Sequence, residues 1–447
     1  MPNSGTYPNT NEQRSTKRSS DRRRLLLITA SSPEIRKARR ARVLNFQQIT
    51  MPYLAAFAPA SWDVIHVDEA VAPVDTSLAV DLVGITFHTP SAFHVYRMAA
   101  RFRERGVPVV LGGPHVTLMP EEARRHADVI FVGEAEDTLA EFFKEFEQGR
   151  HKSRYASIVA PTLENAPMAR KELFHRRDLT SGRLFATRGC AYACEFCALA
   201  AMYRRKVRRR PVSAVAEEYA SFPGKVIILW DDNLAIDRDY AKALFRAIEP
   251  HKKWWSCQVS IHAGEDEEFL ELAARSGCKQ LFIGLESISQ ASMNDVKKGF
   301  NVVDQYLTVI QRIHSFGIAV QAGIVFGFDA DTEEVFRGTL DFLEMAGVQN
   351  ATFNILTPYP GTELYRRLEA EGRILTRDWT KYNGREDVVF QPRRMSPEIL
   401  LEGYRYANRR FYSPKSILRR LSCSSVGLWW TLPLNMAYSA AYWRSRV

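Results

Sequence analysis

Arg188-Gly189-Cys190-Ala191-Tyr192-Ala193-Cys194-Glu195-Phe196-Cys197 holds three cysteines in the spacing C-x3-C-x2-C. One short loop so spaced lets three thiolates converge on a single inorganic centre, and thiolates are the usual ligands of iron–sulfur clusters. A [4Fe–4S] cubane bound by three cysteines keeps one iron open for a group that is not a side chain. A structural zinc site closes with four protein ligands, and no fourth Cys or His lies close by in the loop. Zinc, and three thiols of unrelated role, stay as alternatives. The apolar run Leu184-Phe185-Ala186-Thr187 leads straight into the loop, which places the centre at the carboxyl end of a strand.

Working outward, apolar runs and helical patterns alternate after the loop. Val226–Trp230, Ser256–Ile261, Gln280–Gly284, Ala319–Phe326 and Thr352–Leu356 read as strands. Tyr240–Ile248, Glu267–Ser276, Val303–Phe316 and Glu333–Met345 read as helices. With Leu184–Thr187 that makes six strands. Upstream, Leu25–Thr29, Val64–Val67, Leu82–Phe87, Val107–Leu111 and Val129–Val132 read as strands. Phe46–Phe57, Ser91–Glu104, Pro120–His126 and Thr138–Glu147 read as helices. Alternation of this kind argues for a parallel, doubly wound sheet with ligands beyond the strands' carboxyl ends. Those ends carry Thr86-Phe87-His88-Thr89-Pro90-Ser91, Leu111-Gly112-Gly113-Pro114-His115 and Val132-Gly133-Glu134-Ala135-Glu136. Glycines there admit a large flat ligand or merely make turns.

The cysteine loop, with an aromatic residue just before its last cysteine, resembles the signature loop of the radical S-adenosylmethionine superfamily. In that family the open iron chelates the amino and carboxylate groups of S-adenosylmethionine. The six downstream strands resemble the family's partial (β/α)6 barrel. The order Asp81–Thr86, Val110–His115, Gly133–Glu136 resembles the cobalamin-binding domain that precedes many such cores. The expected fold is therefore α/β: an N-terminal doubly wound, Rossmann-like cobalamin-binding domain, a partial (β/α)6 barrel, then a mostly helical C-terminal region. The expected boundaries are 1–23 for a disordered basic tail, 24–150 for the first domain and 151–180 for a linker. The barrel then covers 181–375 and the C-terminal region 376–447. The D-x-H-x-x-G motif that gives cobalt a histidine in methionine-synthase-like proteins is absent, and Ala30–Val43 contains no histidine. The resemblance thus implies cobalamin without a protein histidine ligand, a degenerate domain being the alternative.

The resemblance also implies site residues. Cys190, Cys194 and Cys197 would hold a [4Fe–4S] cluster. Asp231 and Asp232, in Trp230-Asp231-Asp232-Asn233, would accept hydrogen bonds from the ammonium of S-adenosylmethionine; the alternative, an N-cap of the helix at Tyr240, suits Asp237 or Asp239 better than these two. Glu286 and Ser287 would meet the ribose hydroxyls. Gly323 and Gly327, in Gly323-Ile324-Val325-Phe326-Gly327, would flank adenine. Thr86, Gly112, Gly113, Gly133 and Glu134 would contact cobalamin. Tyr203, Trp230, Trp254, Trp255 and Tyr359 line a substrate cavity or belong to the core. Cys257 and Cys278 read as buried structural thiols, and nothing places Cys423 near the cluster.

The 447 residues, 46% hydrophobic and 25% charged, suit a soluble protein of several domains. Six cysteines are too few for a disulfide scaffold, and residues 1–24 read as polar and basic rather than as a signal peptide. A reducing cytoplasm is expected. The net charge of +10 gathers in the N-terminal tail, in Arg36–Arg42 and in Arg204–Arg210. Such clusters meet phosphates, anionic lipid or solvent, and no nucleic-acid module accompanies them, so no nucleic-acid partner is expected. Ser424–Trp443 has no charged residue, and Arg419, Arg420, Arg444 and Arg446 bracket it. That segment packs onto the barrel, lies in a membrane interface at the inner face, or spans.

Together these features read as a cobalamin-dependent radical S-adenosylmethionine enzyme. The first reading is methylation of an unactivated carbon in a small-molecule or lipid substrate of a biosynthetic pathway. A reducing protein such as flavodoxin or ferredoxin would be its partner. A radical cyclase or rearrangement enzyme with the same cofactors is the second reading. A lipid- or nucleic-acid-binding protein with a structural cluster is the third, and three rather than four cysteines argue against it.

Overall fold

The computed structural model describes residues 22–33, 47–157, 160–174, 180, 182–422 and 426–444, with side chains to residue 440. The basic run Arg36–Arg42, most of the tail and Cys423 lie outside the described residues. Six parallel strands form the first sheet in the order β2-β1-β3-β4-β5-β6: β1 (Arg23–Thr29), β2 (Trp62–Asp68), β3 (Leu82–Thr86), β4 (Val109–Gly112), β5 (Val129–Val132) and β6 (Arg154–Ala156). The pleat explains β1. Leu26 and Ile28 enter one apolar cluster while Leu25 and Leu27 enter the other, so both faces are covered, as a doubly wound sheet requires. The Ala92–Glu104 helix buries Ala92, Val95, Tyr96, Ala99 and Phe102, the i, i+3, i+4 stripe of an amphipathic helix.

The second sheet runs in chain order: β7 (Gly182–Leu184), β10 (Val226–Leu229), β11 (Trp254–Val259), β12 (Cys278–Glu286), β13 (Ala319–Phe326) and β14 (Asn350–Ile355), all parallel. It is a barrel left open between its first and last strands. The expected strand Leu184–Thr187 is split. Beyond β7, Thr187–Arg188 (β8) pairs antiparallel with Arg208–Arg209 (β9). The cause is Asp231, whose carboxylate accepts the N–H groups of Ala186 and Thr187 where a ladder partner would have been.

Three further expectations change. The linker at 151–180 carries β6 on the edge of the first sheet and buries Leu163 and Ala169 with Ile49, Tyr53 and Phe185 in a joint between the sheets. The Phe46–Phe57 helix is short, an α-turn at Thr50–Leu54 followed by a 3-10 turn. The C-terminal region is mostly helical as expected, but its first part, residues 376–395, is a strap whose helical content is one 3-10 turn at Trp379–Lys381. Trp379, Tyr382 and Val389 return to the core of the first sheet, and the Trp379 indole donates to Glu122 at 3.0 Å.

The uncharged tail packs. Its helix, Leu428–Arg444, crosses the base of the barrel at the amino ends of β11–β14. Trp429 meets Trp254 at a centroid distance of 4.6 Å, and Trp430 donates to Gln280 at 3.2 Å. Tyr438 accepts from Gln321 at 3.0 Å, and Asn435 donates to Asn350 at 2.9 Å. No helix among the described residues is long and apolar enough to cross a membrane.

Candidate functional site

The cysteine loop leaves β8 through Gly189, whose φ is +92° and whose missing Cβ makes room for the Lys206 carbonyl. Its own residues fasten it. Buried Glu195 takes the Arg367 guanidinium with both oxygens, at 2.7 and 3.2 Å. Its N–H donates to the Val296 carbonyl, and its carbonyl accepts from Leu364. Tyr192 stacks on Phe300 at 3.9 Å, and Phe196 meets Phe328. The backbone is thus held from both sides while Cys190, Cys194 and Cys197 stay half-buried, free thiols. Burial pushes the Cys194 thiol up to about 12, and it raises Cys197 as well. Among the described residues no three His, Cys, Asp or Glu side chains converge as ligands of one ion do. A cubane gives each cysteine its own iron and does not need that convergence. Donor type, loop anchorage and free thiols fit a cluster.

Around the loop stand the barrel strand ends. Asn233 donates toward the Cys190 sulfur at 3.8 Å and accepts from Ser260 N–H at 3.0 Å, tying two strand ends to the first cysteine. Asp232 accepts the Gly189 N–H at 2.7 Å and is partly exposed. Asp231 is not available as expected. It is buried, pushed up to about 6 by that burial against the pull of its Thr187 and Ala186 donors, and its carboxylate is spent on them. Glu286 sits at a β-bulge with φ +65°, a costly conformation for a glutamate. It pairs with Lys298 at 2.6 Å, and Lys298 also donates to the Gly284 carbonyl at 3.0 Å. Burial opposes the charge on Lys298, but Glu286 and the nearby Cys194 outweigh it and raise its pKa. Ser287 is buried and its hydroxyl accepts the Ser289 N–H. Gly323 faces the Phe282 ring. Gly327, φ +108°, lies against Leu400 and Phe390 rather than open space. Its N–H and that of Phe328 are held by Asp331. Trp255 is core, fully buried and stacked on Phe245.

At the first sheet, Thr86 is buried at the end of β3. A Cβ at Gly113, φ +97°, would meet the Thr86 side chain and the Phe87 backbone, so a side chain there forces them to shift and is strained. Gly112 stands in ordinary contact with Phe131. Gly133 differs: at φ +81° nothing lies within 4 Å of where its Cβ would stand. Its N–H donates to Thr117, so the turn is fixed while the room beyond stays open. Gly133 is exposed, so its backbone can be approached from the open side. Most of the Ala30–Val43 loop lies outside the described residues. Glu134 points toward the barrel. It accepts from Arg188 at 2.5 Å and from Arg208, and Glu136 accepts from Arg188 too. Arg188 also lies over the Phe185 and Tyr53 rings, at 4.8 and 5.5 Å. The residue two before Cys190 is therefore clamped by the strand ends of the other sheet, and the two sites face one another.

Sequence reasoning missed Lys298, the Glu195–Arg367 anchor and the clamp. The first has a signal in Lys297-Lys298-Gly299; the others join residues too distant in sequence to pair by inspection.

Residues 184–343 match the radical SAM superfamily, residues 38–143 a B12 binding domain, and residues 362–427 a domain of unknown function. Bacteriochlorophyllide d C-12(1)-methyltransferase of Chlorobaculum tepidum is 28% identical over 412 residues, 88% of this chain and 90% of that protein. Bacteriochlorophyllide d C-8(2)-methyltransferase of the same organism is 30% identical over 370 residues, 76% of this chain and 81% of that protein. The structure of the radical S-adenosylmethionine methyltransferase TsrM of Kitasatospora setae shares the fold, with a TM-score of 0.67 at 14% identity over 95% of this chain and 99% of that one.

Proposed function

The chain belongs to the radical S-adenosylmethionine enzymes with a B12-binding domain, and from that premise we propose that it methylates an unactivated carbon of a polycyclic small molecule. Its cofactors are a [4Fe–4S] cluster, S-adenosylmethionine and cobalamin. When bound, the cluster and S-adenosylmethionine supply radical chemistry and cobalamin supplies methyl transfer, the hard steps being the cofactors' own. The observation that carries the proposal is the clamp. Glu134 and Glu136 hold Arg188 beside the cysteine loop, so the two chemistries share one space between the sheets.

The chain's own residues bind, orient and shield. Cys190, Cys194 and Cys197 hold the cluster, and Asn233 and Lys298 bring a donor and a positive charge to its sulfurs. Asp232 and Glu286 are the carboxylates left for the polar groups of S-adenosylmethionine. Gly112 and Gly133 border the space for the corrin. The cytoplasm supplies the reducing conditions, with flavodoxin or ferredoxin as electron donor. The two relatives whose names specify bacteriochlorophyllide favour a tetrapyrrole substrate over a polycyclic lipid or an antibiotic scaffold. Peripheral membrane contact is a separate proposal, carried by the tail.

Gly133→Leu fills the open room and is expected to cut cobalamin uptake about tenfold at unchanged iron content, read by absorption after anaerobic reconstitution; the positive φ adds local strain of roughly 1–2 kcal/mol. Undiminished uptake would remove Gly133 from the corrin's border. The reaction is tested by anaerobic turnover of a tetrapyrrole panel with methyl-labelled S-adenosylmethionine. Methylation releases 5′-deoxyadenosine and S-adenosylhomocysteine in equal amounts, and the product gains one labelled methyl carbon. Glu286→Ala lowers both products together. 5′-Deoxyadenosine with no S-adenosylhomocysteine and no gain in mass assigns the enzyme to cyclisation or rearrangement instead.

A further inference from the structure

The Leu428–Arg444 helix is built inside out. Thr431 and Asn435, one turn apart, are fully buried against the barrel. Leu428, Trp429, Leu432 and Met436 stand outward, 50, 53, 41 and 61% exposed. Leucine and tryptophan on the wet side of a helix with threonine and asparagine on the dry side reverse the ordinary arrangement. Polar bonds fix the reversal. The Asn435 amide donates to Asn350 and to the Gln349 carbonyl, both at 2.9 Å, and its oxygen accepts from buried Arg420 at 3.1 Å. Arg420 is held in turn by the carbonyls of Val348, Gln349 and Phe411. Rolling the helix to bury its leucines would strand all of these groups, a larger loss than the burial would return.

The neighbouring Pro414–Ser422 helix continues the face. Leu418 is 72% exposed, and Lys415 and Arg419 stand exposed three residues before it and one after. At the other end Lys225 lies over the Trp254 ring, which touches Trp429. Lys225 and Lys252, both exposed, precede β10 and β11 at the same base. Along this edge Glu344 is buried beneath Arg419 and Arg410, and the half-exposed Asp341 also pairs with Arg410, so neither acid stands free. Five of the eleven large apolar side chains exposed among the described residues fall within 418–436. Outward leucine, methionine and tryptophan on one helix, rimmed by lysine and arginine from neighbouring segments, make a surface suited to a lipid interface.

We propose that the base of the barrel, formed by the Pro414–Ser422 and Leu428–Arg444 helices, docks on an anionic bilayer surface, with Leu428, Trp429, Leu432 and Met436 among the acyl chains and Lys415 and Arg419 at the headgroups. The face is opposite the strand ends that carry the cysteine loop. It therefore tethers the enzyme without opening its site to the bilayer, and the contact does not by itself argue for a lipid substrate. Removing the whole tail would strip the cover from Gln280, Gln349 and Asn350, so point changes on the outer face are the cleaner probe.

The test is co-sedimentation of the full chain, reconstituted with cluster and cobalamin, with phosphatidylcholine vesicles that contain or lack phosphatidylglycerol. The intact protein is expected to bind the anionic vesicles, less as salt is added. Leu432→Gln with Met436→Gln should weaken binding about tenfold, cofactor content being unchanged. Leu418→Gln on the other helix gives a second variant whose exposed side chain takes no part in the Asn435 network, and it should weaken binding in the same direction. Failure of the intact protein to bind, or equal binding by both variants, overturns the proposal. So does a dimer in solution that the double variant dissociates, which would assign the face to a second copy.

Discussion

Cys194→Ala protein, reconstituted anaerobically, is expected to hold far fewer than the four irons of a [4Fe–4S] cluster and to form no measurable 5′-deoxyadenosine. The loss should be specific to the thiol, because nothing that fixes the loop depends on it. Glu195 remains on Arg367, the Glu195 N–H on the Val296 carbonyl, and Tyr192 on Phe300. Far-ultraviolet circular dichroism and cobalamin uptake should therefore match the parent while the iron–sulfur absorption disappears. Full deoxyadenosine formation by this variant would sink the assignment of the loop, whatever its effect on stability. Of all substitutions considered, this one should have the largest effect on activity, since the remaining two thiols cannot hold a cubane that already has an iron without a side chain.

Both sheets were legible because their strands are buried on two faces. The run Leu25–Ile28 sends alternate residues into separate cores, and Ala319–Phe326 is apolar apart from Gln321. The cysteine spacing was legible because it is local. What the sequence hid was the direction of polar side chains. Ile227, Leu229 and Asp231 share one buried face of β10 and its extension, while Trp230 is exposed. Period-two counting would have turned Asp231 inward, and two adjacent carboxylates had been read as equivalent. The direction of Ser287 was hidden for a related reason: the bulge at Glu286 shifts the register just before it. The tail concealed its orientation, since a stripe at Thr431 and Asn435 can be seen in sequence, but only the Gln349, Asn350 and Arg420 partners determine that it faces in. The strap at 376–395 lacked any periodic signal at all, and its place is set by Trp379 on Glu122.

Replacing Glu134 and Glu136 together by glutamine is expected to separate the two halves of the reaction. The four groups of the clamp are nearly buried: side-chain exposures are 16% for Arg188, 11% for Arg208, 10% for Glu134 and 8% for Glu136. Two guanidiniums so enclosed lose most of their compensation when the carboxylates become amides, and breaking a buried pair commonly costs about 3–5 kcal/mol. The barrel need not unfold to relieve that cost. Small shifts of β8 and β9 can let water reach Arg188 and Arg208 while the Tyr53–Phe185 joint and the strap at 376–395 keep the two domains together. The cysteine loop would keep its own anchors, so deoxyadenosine formation should stay within a few-fold of the parent. Methylated product and S-adenosylhomocysteine should fall roughly a hundredfold, equivalent to about 2.7 kcal/mol in the barrier. The ratio of deoxyadenosine to S-adenosylhomocysteine, one to one in the parent, would then rise steeply. Equal loss of both products would show that the carboxylates serve the fold of the cysteine loop alone. An unchanged ratio at full rate would show that the clamp is dispensable and that some other contact holds the sheets in register.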